Sequence, residues 1–422
     1  MVAYQPRVVD EQLDVLQPHL AAISVHGPKG VGKTSTVRRR ASTVLALDDE
    51  LELERLRADP AVVTRLPGPV LLDEWQRYPE IWDRVRRDVD RGAEPGRYLL
   101  TGSSSPRGAT VHSGAGRIVG IRMRPMSLFE RHIDTPRVSL GELLGGTAVT
   151  EGETTADLEL YVREIVASGF PGVRAVPSHA RATVLDAYVE TIVQREFPEQ
   201  GYAVRRPATL LGWLAAYAAA ESSTAKYNEI LDAATPAQGD KPAKTTTITY
   251  RDVLSSLWLL DPTPAWIPTG NVFKRLSQAP KHHLADPALA AHLLQLDEDS
   301  LLSGTRTPTR PWGGSILGAL FESLVTLDVK AYAPLADARV YHLRDRNGDH
   351  EVDLIVQGRG GRVVAIEVKL AASVQDADVR HLHWLKERLG DDLVDMVVVT
   401  TGRHAYRRPD GVAVVPAALL GP

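Results

Sequence analysis

The feature that most constrains this chain is an octapeptide, Gly27-Pro28-Lys29-Gly30-Val31-Gly32-Lys33-Thr34. It follows a short apolar run, Ile23-Ser24-Val25-His26, and opens a helical segment at Ser35. Glycines at these positions let successive backbone N–H groups turn inward around an anion. The helix behind them points its positive end at the same spot. Lys33 stands where a side chain reaches the β- and γ-phosphates of a nucleotide, and Thr34 offers a hydroxyl to Mg²⁺. A strand, a glycine loop and a helix in this order demand a parallel α/β sheet. Residues Gly27, Pro28, Lys29, Gly30, Val31, Gly32, Lys33, Thr34 and Ser35 are therefore the expected ATP and Mg²⁺ contacts.

The rest of residues 1–135 supplies partners for that loop. Pro69-Val70-Leu71-Leu72-Asp73 reads as a strand ending in an acidic pair, Asp73-Glu74. Asp73 is expected to hold Mg²⁺ through water, and Glu74 to orient or deprotonate the attacking water. Arg97-Tyr98-Leu99-Leu100-Thr101 reads as a third strand, closed by Gly102 and Ser103. A polar residue there, Thr101 or Ser103, is a candidate sensor of the γ-phosphate. Between these strands, Ile81, Trp82, Val85 and Val89 recur at helical spacing over residues 80–91. Arg117, in Gly114-Ala115-Gly116-Arg117, is either a finger that stabilises charge on the transferring phosphoryl or one solvated arginine among 39.

The end of the chain has a second chemistry. Residues 339–344, 351–357 and 362–369 read as strands, preceded by a helix at 316–331 and followed by a helix at 376–389 and a strand at 394–400. The order is αβββαβ. Strand period puts Glu351 with Asp353 on one face, and Glu367 with Lys369 on another strand's face. A hairpin between them brings Asp353 and Glu367 toward one divalent cation, Mg²⁺ or Mn²⁺, with Lys369 beside them to position water. Glu322 on the preceding helix is a further candidate ligand. This is the D-x(n)-ExK pattern of PD-(D/E)xK nucleases. Active cleavage and a degenerate binding site are both open.

Composition narrows the alternatives. The chain has 422 residues and no cysteine, which excludes disulfides, thiolate metal sites and cysteine nucleophiles. Residues 1–10 are polar and no stretch reaches a membrane span, so a cytoplasmic protein with no membrane partner is expected. Net charge is −4. The middle of the chain carries the deficit, and no segment has the basic excess of a dedicated nucleic-acid binder. Three regions follow: an ATPase domain at 1–135, a helical or winged-helix-like domain at 136–304, and a nuclease-like domain at 305–422. Within the middle, residues 158–168, 180–195, 207–220, 225–234 and 249–260 read as helices. Residues 235–247 read as a loop, and 305–311 as a linker. His282 and His283 are adjacent, point apart on a strand, and are not expected to share a metal.

Taken in order, the motifs resemble the prokaryotic AAA-type ATPases that carry a C-terminal domain of unknown function with a restriction-endonuclease-like fold. The resemblance is carried by the octapeptide, Leu72-Asp73-Glu74-Trp75-Gln76, Leu100-Thr101-Gly102-Ser103, His112-Ser113-Gly114-Ala115-Gly116-Arg117 and Arg124-Pro125-Met126-Ser127-Leu128-Phe129-Glu130. It continues in Ser168-Gly169-Phe170-Pro171, Lys281-His282-His283-Leu284-Ala285-Asp286, Gly318-Ala319-Leu320-Phe321-Glu322, Glu351-Val352-Asp353 and Glu367-Val368-Lys369. It implies an AAA-like core, a winged-helix-like middle and a nuclease-like end. It also implies a homo-oligomer, because an arginine finger usually acts across a subunit boundary. The stretch 235–247 departs from the pattern as an insertion, which puts the winged helix in doubt. Two functions compete: an ATPase coupled to a nuclease-like domain acting on DNA, and an ATP-gated switch whose nuclease-like domain only docks. A small-molecule kinase is disfavoured by Glu74 and by the large extra domains.

Overall fold

The structure, a computed structural model, describes residues 4–104, 114–202, 204, 206–234, 243–266, 278–304, 314–345 and 348–422. The linker expected at 305–311, residues 235–242 of the expected loop, and His112 and Ser113 of one motif lie outside them.

Five strands build the first sheet: β1 (Ala22–His26), β2 (Thr43–Ala46), β3 (Val70–Asp73), β4 (Tyr98–Gly102) and β5 (Val119–Arg122). Their order is β2-β3-β4-β1-β5, and every pair is parallel. Alternate residues face two cores. Leu71 and Leu99 join Ile23, Val25 and Val37 on one side, while Val70, Leu72, Tyr98 and Leu100 meet Ile81, Trp82 and Val85 of the helix Glu80–Asp90 on the other. Burial on both faces is why these strands read as unbroken apolar runs. Since all five run the same way, the C-terminal ends of β1, β3 and β4 share one edge, the edge where such sheets bind ligands. Sequence reading missed β2, a partly buried edge strand, and β5, whose Gly120 and Arg122 break the apolar pattern.

The middle is mainly helical: Leu158–Ala167, Ser178–Thr191, Pro207–Ala219, Tyr227–Ala233, Lys244–Ser256 and Pro287–Leu293. Two expectations need correction. The helix expected at 249–260 runs Lys244–Ser256, so residues 244–247 are helical rather than loop. Threonines are weak helix formers, but Thr247, Tyr250, Val253 and Leu254 are buried at helical spacing, and packing outweighs propensity. Beyond Ser256 the chain turns at Trp258, which takes a left-handed φ of 62°. It then extends, meeting residues 281–284 through the antiparallel bridges Thr263–Lys281 and Leu260–Leu284. The helix Ser178–Thr191 passes into a π-helical segment, Ile192–Glu196, beside the phosphate loop.

Two short strands, β6 (Val138–Ser139) and β7 (Gly152–Glu153), lead toward the end of the chain. There stand β8 (Arg339–Arg344), β9 (Glu351–Gln357), β10 (Val363–Lys369), β11 (Leu393–Thr400), β12 (His404–Arg407), β13 (Ala413–Pro416) and β14 (Leu420–Gly421). The second sheet is ordered β7-β12-β13-β11-β10-β9-β8, and β14 pairs with β6. The helices Gly314–Tyr332 and Asp376–Leu389 flank the strands in the order αβββαβ before β12 is reached. One apolar core runs through all three regions, from Val8 to Leu420.

Asp261 ties the regions together. Its carboxylate meets Arg122 Nη1 at 2.9 Å, Arg124 Nε at 2.7 Å and Lys330 Nζ at 3.3 Å, with the aspartate side chain 8% exposed. Among the described residues no helix is long and apolar enough to cross a membrane.

Candidate functional site

The octapeptide leaves β1 at the shared edge and enters the helix Lys33–Arg38. Its glycines answer to specific constraints. A Cβ on Gly27 would sit 2.2 Å from the Met123 carbonyl oxygen, and Gly32 takes a φ of 105°. The loop is braced from outside by Arg7, whose Nη1 donates to Val31 O at 2.9 Å while its Nε pairs with Glu130 at 3.0 Å. Nothing in the sequence marked Arg7 for this.

Lys33 is buried, and its ammonium donates to Gly27 O and Pro28 O at 2.9 Å each. Burial pushes its pKa down to about 8, against the pull of Glu74 and Asp73. Burial likewise pushes His26, at the end of β1, down to about 4, with Lys33 adding to the shift. Val31 and Pro28 are buried in the loop, whereas Lys29, Gly30 and Ser35 are exposed.

β3 and β4 deliver the partners. Asp73 Oδ1 accepts from the Thr34 hydroxyl at 2.9 Å and from the Thr101 hydroxyl. Glu74 follows in a left-handed conformation, φ 53°, and its Oε2 accepts from Ser103 Oγ at 3.1 Å and from Gln76 Nε2. Parallel strands of similar length thus bring together groups 39 and 28 residues apart. Thr101 and Ser103, alternatives in the sequence, have separate partners: Thr101 serves Asp73 and Ser103 serves Glu74.

A cleft of about 280 Å³ opens beside these groups, lined by Lys29, Glu74, Gln76, Ser103, Ser104 and Glu196. Lys29 of the loop pairs with Glu196 of the π-helical segment, and Tyr188 OH donates to Lys29 O at 3.2 Å. The middle region therefore touches the phosphate loop directly, a contact with no sequence signal.

Arg117 lies elsewhere. It precedes β5, whose Val119 pairs with Ile23 at the start of β1. It is therefore at the edge opposite the loop. Its Nε meets Asp90 Oδ1 at 2.8 Å, at the far end of the helix Glu80–Asp90. The structure does not bring Arg117 to this chain's own phosphate loop.

In the end region the expected carboxylates do gather. Asp353 on β9 accepts the Val368 N–H at 2.9 Å, which holds it against β10. Glu367 Oε2 meets Lys369 Nζ at 2.8 Å. Glu367 is buried beside the Asp353 carboxyl group, within hydrogen-bond reach of it. Burial and the Asp353 charge push Glu367 well above the usual carboxylate range. What the sequence did not anticipate is Lys281. Its Nζ enters from the middle region to 2.7 Å from Glu322 Oε1, 3.0 Å from Asp353 Oδ1 and 3.2 Å from Glu351 Oε1. Burial and the Asp353 charge push Glu322 up to about 8. In the sequence Lys281 is only the first residue of the motif Lys281-His282-His283-Leu284-Ala285-Asp286, and nothing local gives it a role. Among the described residues no cluster of three or more His, Asp or Glu side chains is arranged to hold a metal ion. His282 and His283 meet different groups. His282 contacts Tyr217 OH at 3.2 Å and Ala225 O at 2.8 Å, and His283 lies 3.4 Å from Glu221.

Comparison with known proteins adds three matches along the chain. Residues 20–132 match the family model of an AAA domain, residues 158–300 that of a domain of unknown function (DUF8612), and residues 317–420 that of a domain of unknown function (DUF4143). Uncharacterized proteins of Mycobacterium bovis and Mycobacterium tuberculosis are each 28% identical over 400 residues, covering 93% of this chain and 79% of theirs. The Walker-type ATPase of Pyrococcus abyssi is similar at 12% identity and a TM-score of 0.38, over 69% of this chain and 99% of that one. The loop, its acidic partners and the parallel sheet agree with the first of these matches: residues 20–132 form a P-loop domain of the AAA ATPase type.

Proposed function

We propose that this chain is a Mg²⁺-dependent ATPase that works as a switch, its nucleotide site at the C-terminal edge of the first sheet. The observation that carries the reading is the convergence of Thr34, Asp73 and Thr101 on one side and Glu74, Ser103 and Gln76 on the other. A hydroxyl and a carboxylate 2.9 Å apart are the hard oxygen donors that suit Mg²⁺. When bound there, the ion neutralises charge on the β- and γ-phosphates. The loop amides and Lys33 bind the phosphates. Thr101 fixes the Asp73 carboxylate. Glu74, held by Ser103 and Gln76, orients and deprotonates the attacking water, and Ser103 is the better placed of the two sensor candidates. Arg117, at the opposite edge, acts as a finger only on a neighbouring subunit, so the reading includes a homo-oligomer.

For residues 305–422 we infer docking rather than cleavage. The nuclease reading keeps one supporting observation, the gathering of Asp353, Glu367, Lys369 and Glu322. Lys281, an ammonium held between Glu322, Glu351 and Asp353, favours docking, and with it DNA is no longer a required partner. Phosphate release and nucleotide binding test the ATPase reading together. Glu74→Gln should bind ATP as the unaltered chain does and hydrolyse it about 10²–10⁴-fold more slowly. Unchanged hydrolysis would remove Glu74 from the reaction. DNA incubated with the intact chain and Mn²⁺ should stay whole; cleavage that Asp353→Ala abolishes would restore the nuclease.

A further inference from the structure

The Asp353 cluster has the residues of a divalent cation site but not its geometry. Mg²⁺ draws carboxylate oxygens to about 2.0–2.1 Å. Here the oxygens of Glu322, Asp353 and Glu351 stand 2.7, 3.0 and 3.2 Å from a nitrogen, the spacing of hydrogen bonds to an ammonium. An ammonium carries three N–H donors, and three carboxylates surround this one. A dication among the same oxygens would lie against a buried positive charge, so the two exclude each other.

The lysine is built into this position. Its N–H and C=O exchange bonds with Thr263 at 2.9 and 2.8 Å, and the next residue, His282, donates to Ser223 O at 2.8 Å. The side chain is 1% exposed. Burial alone would lower its pKa, but Asp353, Glu322 and Glu351 outweigh burial and hold it well above the usual lysine range. A fourth carboxyl group adjoins the cluster: Glu367, in a side chain 4% exposed, lies within hydrogen-bond reach of Asp353.

We propose that Lys281 is the resident cation of the Glu322–Glu351–Asp353 cluster, so that the middle region supplies from within the chain the charge a divalent metal supplies in a cleaving site. The end domain is docked by this ammonium and closed to metal while it is in place. Removing the ammonium turns the cluster into a divalent cation site. The inference rests on the docking reading, and the two fail separately: DNA cleavage by the intact chain ends the reading, and manganese binding tests the inference.

The experiment titrates the nucleotide-free full chain with Mn²⁺, followed by electron paramagnetic resonance of the free ion. All variants carry Asp73→Asn, which removes the P-loop carboxylate. With Lys281 present, no manganese should bind in a way that Asp353→Asn abolishes. Lys281→Met should bind one equivalent, lost again on adding Asp353→Asn. Lys281→Met/Glu322→Gln, which removes one charge of each sign, should bind likewise. Folding of either variant only in the presence of Mn²⁺ reads the same way. The proposal is overturned if the lysine-containing chain binds an Asp353-dependent equivalent. It is also overturned if neither lysine variant binds or folds with Mn²⁺.

Discussion

Nucleotide binding to this chain should take up a proton, and the amount follows from Lys33. The ammonium is buried against two loop carbonyls, and its pKa is pushed down to about 8. Phosphate oxygens favour the charged form and should return it at least to the ordinary 10.5. That change corresponds to about 3 kcal/mol of coupling between the proton and the nucleotide. Before binding, the neutral fraction of Lys33 is about 0.1 at pH 7, 0.5 at pH 8 and 0.9 at pH 9. Binding should therefore absorb about those numbers of protons. The phosphates are ionised above pH 8 and His26 titrates near 4, so neither contributes there. The sign also sets the affinity, which should fall about tenfold from pH 7 to pH 9 as the neutral lysine must first be charged. Calorimetry of a non-hydrolysable ATP analogue in two buffers of different ionisation enthalpy measures the uptake directly. Uptake near zero at both pH 8 and pH 9 would refute the burial argument for Lys33.

Other consequences follow from the same contacts. Asp261→Asn leaves Arg122, Arg124 and Lys330 without their shared counter-charge and should cost about 3–5 kcal/mol in urea unfolding; a loss below about 1 kcal/mol would show the hub to be idle. Burial pushes Glu221 up to about 8, so its contribution is complete below pH 4.5 and lost as pH rises through 8. Unfolding stability should accordingly decline over that window by up to about 1.4 kcal/mol per pH unit, and Glu221→Gln should remove that slope. If Arg117 serves a neighbouring site, mixing Arg117→Ala chains with Lys33→Ala chains should recover phosphate release that neither shows alone, and absence of recovery would confine Arg117 to its pair with Asp90.

The proposed nucleotide site was readable because its parts are either contiguous or placed by one rule. The octapeptide is local, and parallel strands carry Asp73, Glu74, Thr101 and Ser103 to the same edge whatever the loops between them do. Period-2 patterning likewise placed Glu351, Asp353, Glu367 and Lys369 on β9 and β10. Contacts between regions left no such trace. Lys281 meets Asp353 across 72 residues, Arg124 meets Asp261 across 137, and Lys29 meets Glu196 across 167. No periodicity links residues so far apart, and each looks in the sequence like one more surface charge. The helix starting at Lys244 was hidden differently, by threonines whose local preference the buried face of Tyr250, Val253 and Leu254 overrides. The strands β12, β13 and β14 are two to four residues long, too short for alternation to register.

The central claim is that the loop closed by Lys33 and the carboxylates beside it hydrolyse ATP. Steady-state phosphate release by the full chain, with Mg²⁺ and with EDTA, tests this most directly against Lys33→Ala. Release that requires Mg²⁺ and disappears in Lys33→Ala is the predicted result. Equal rates in the two proteins, or a rate indifferent to Mg²⁺, would contradict it.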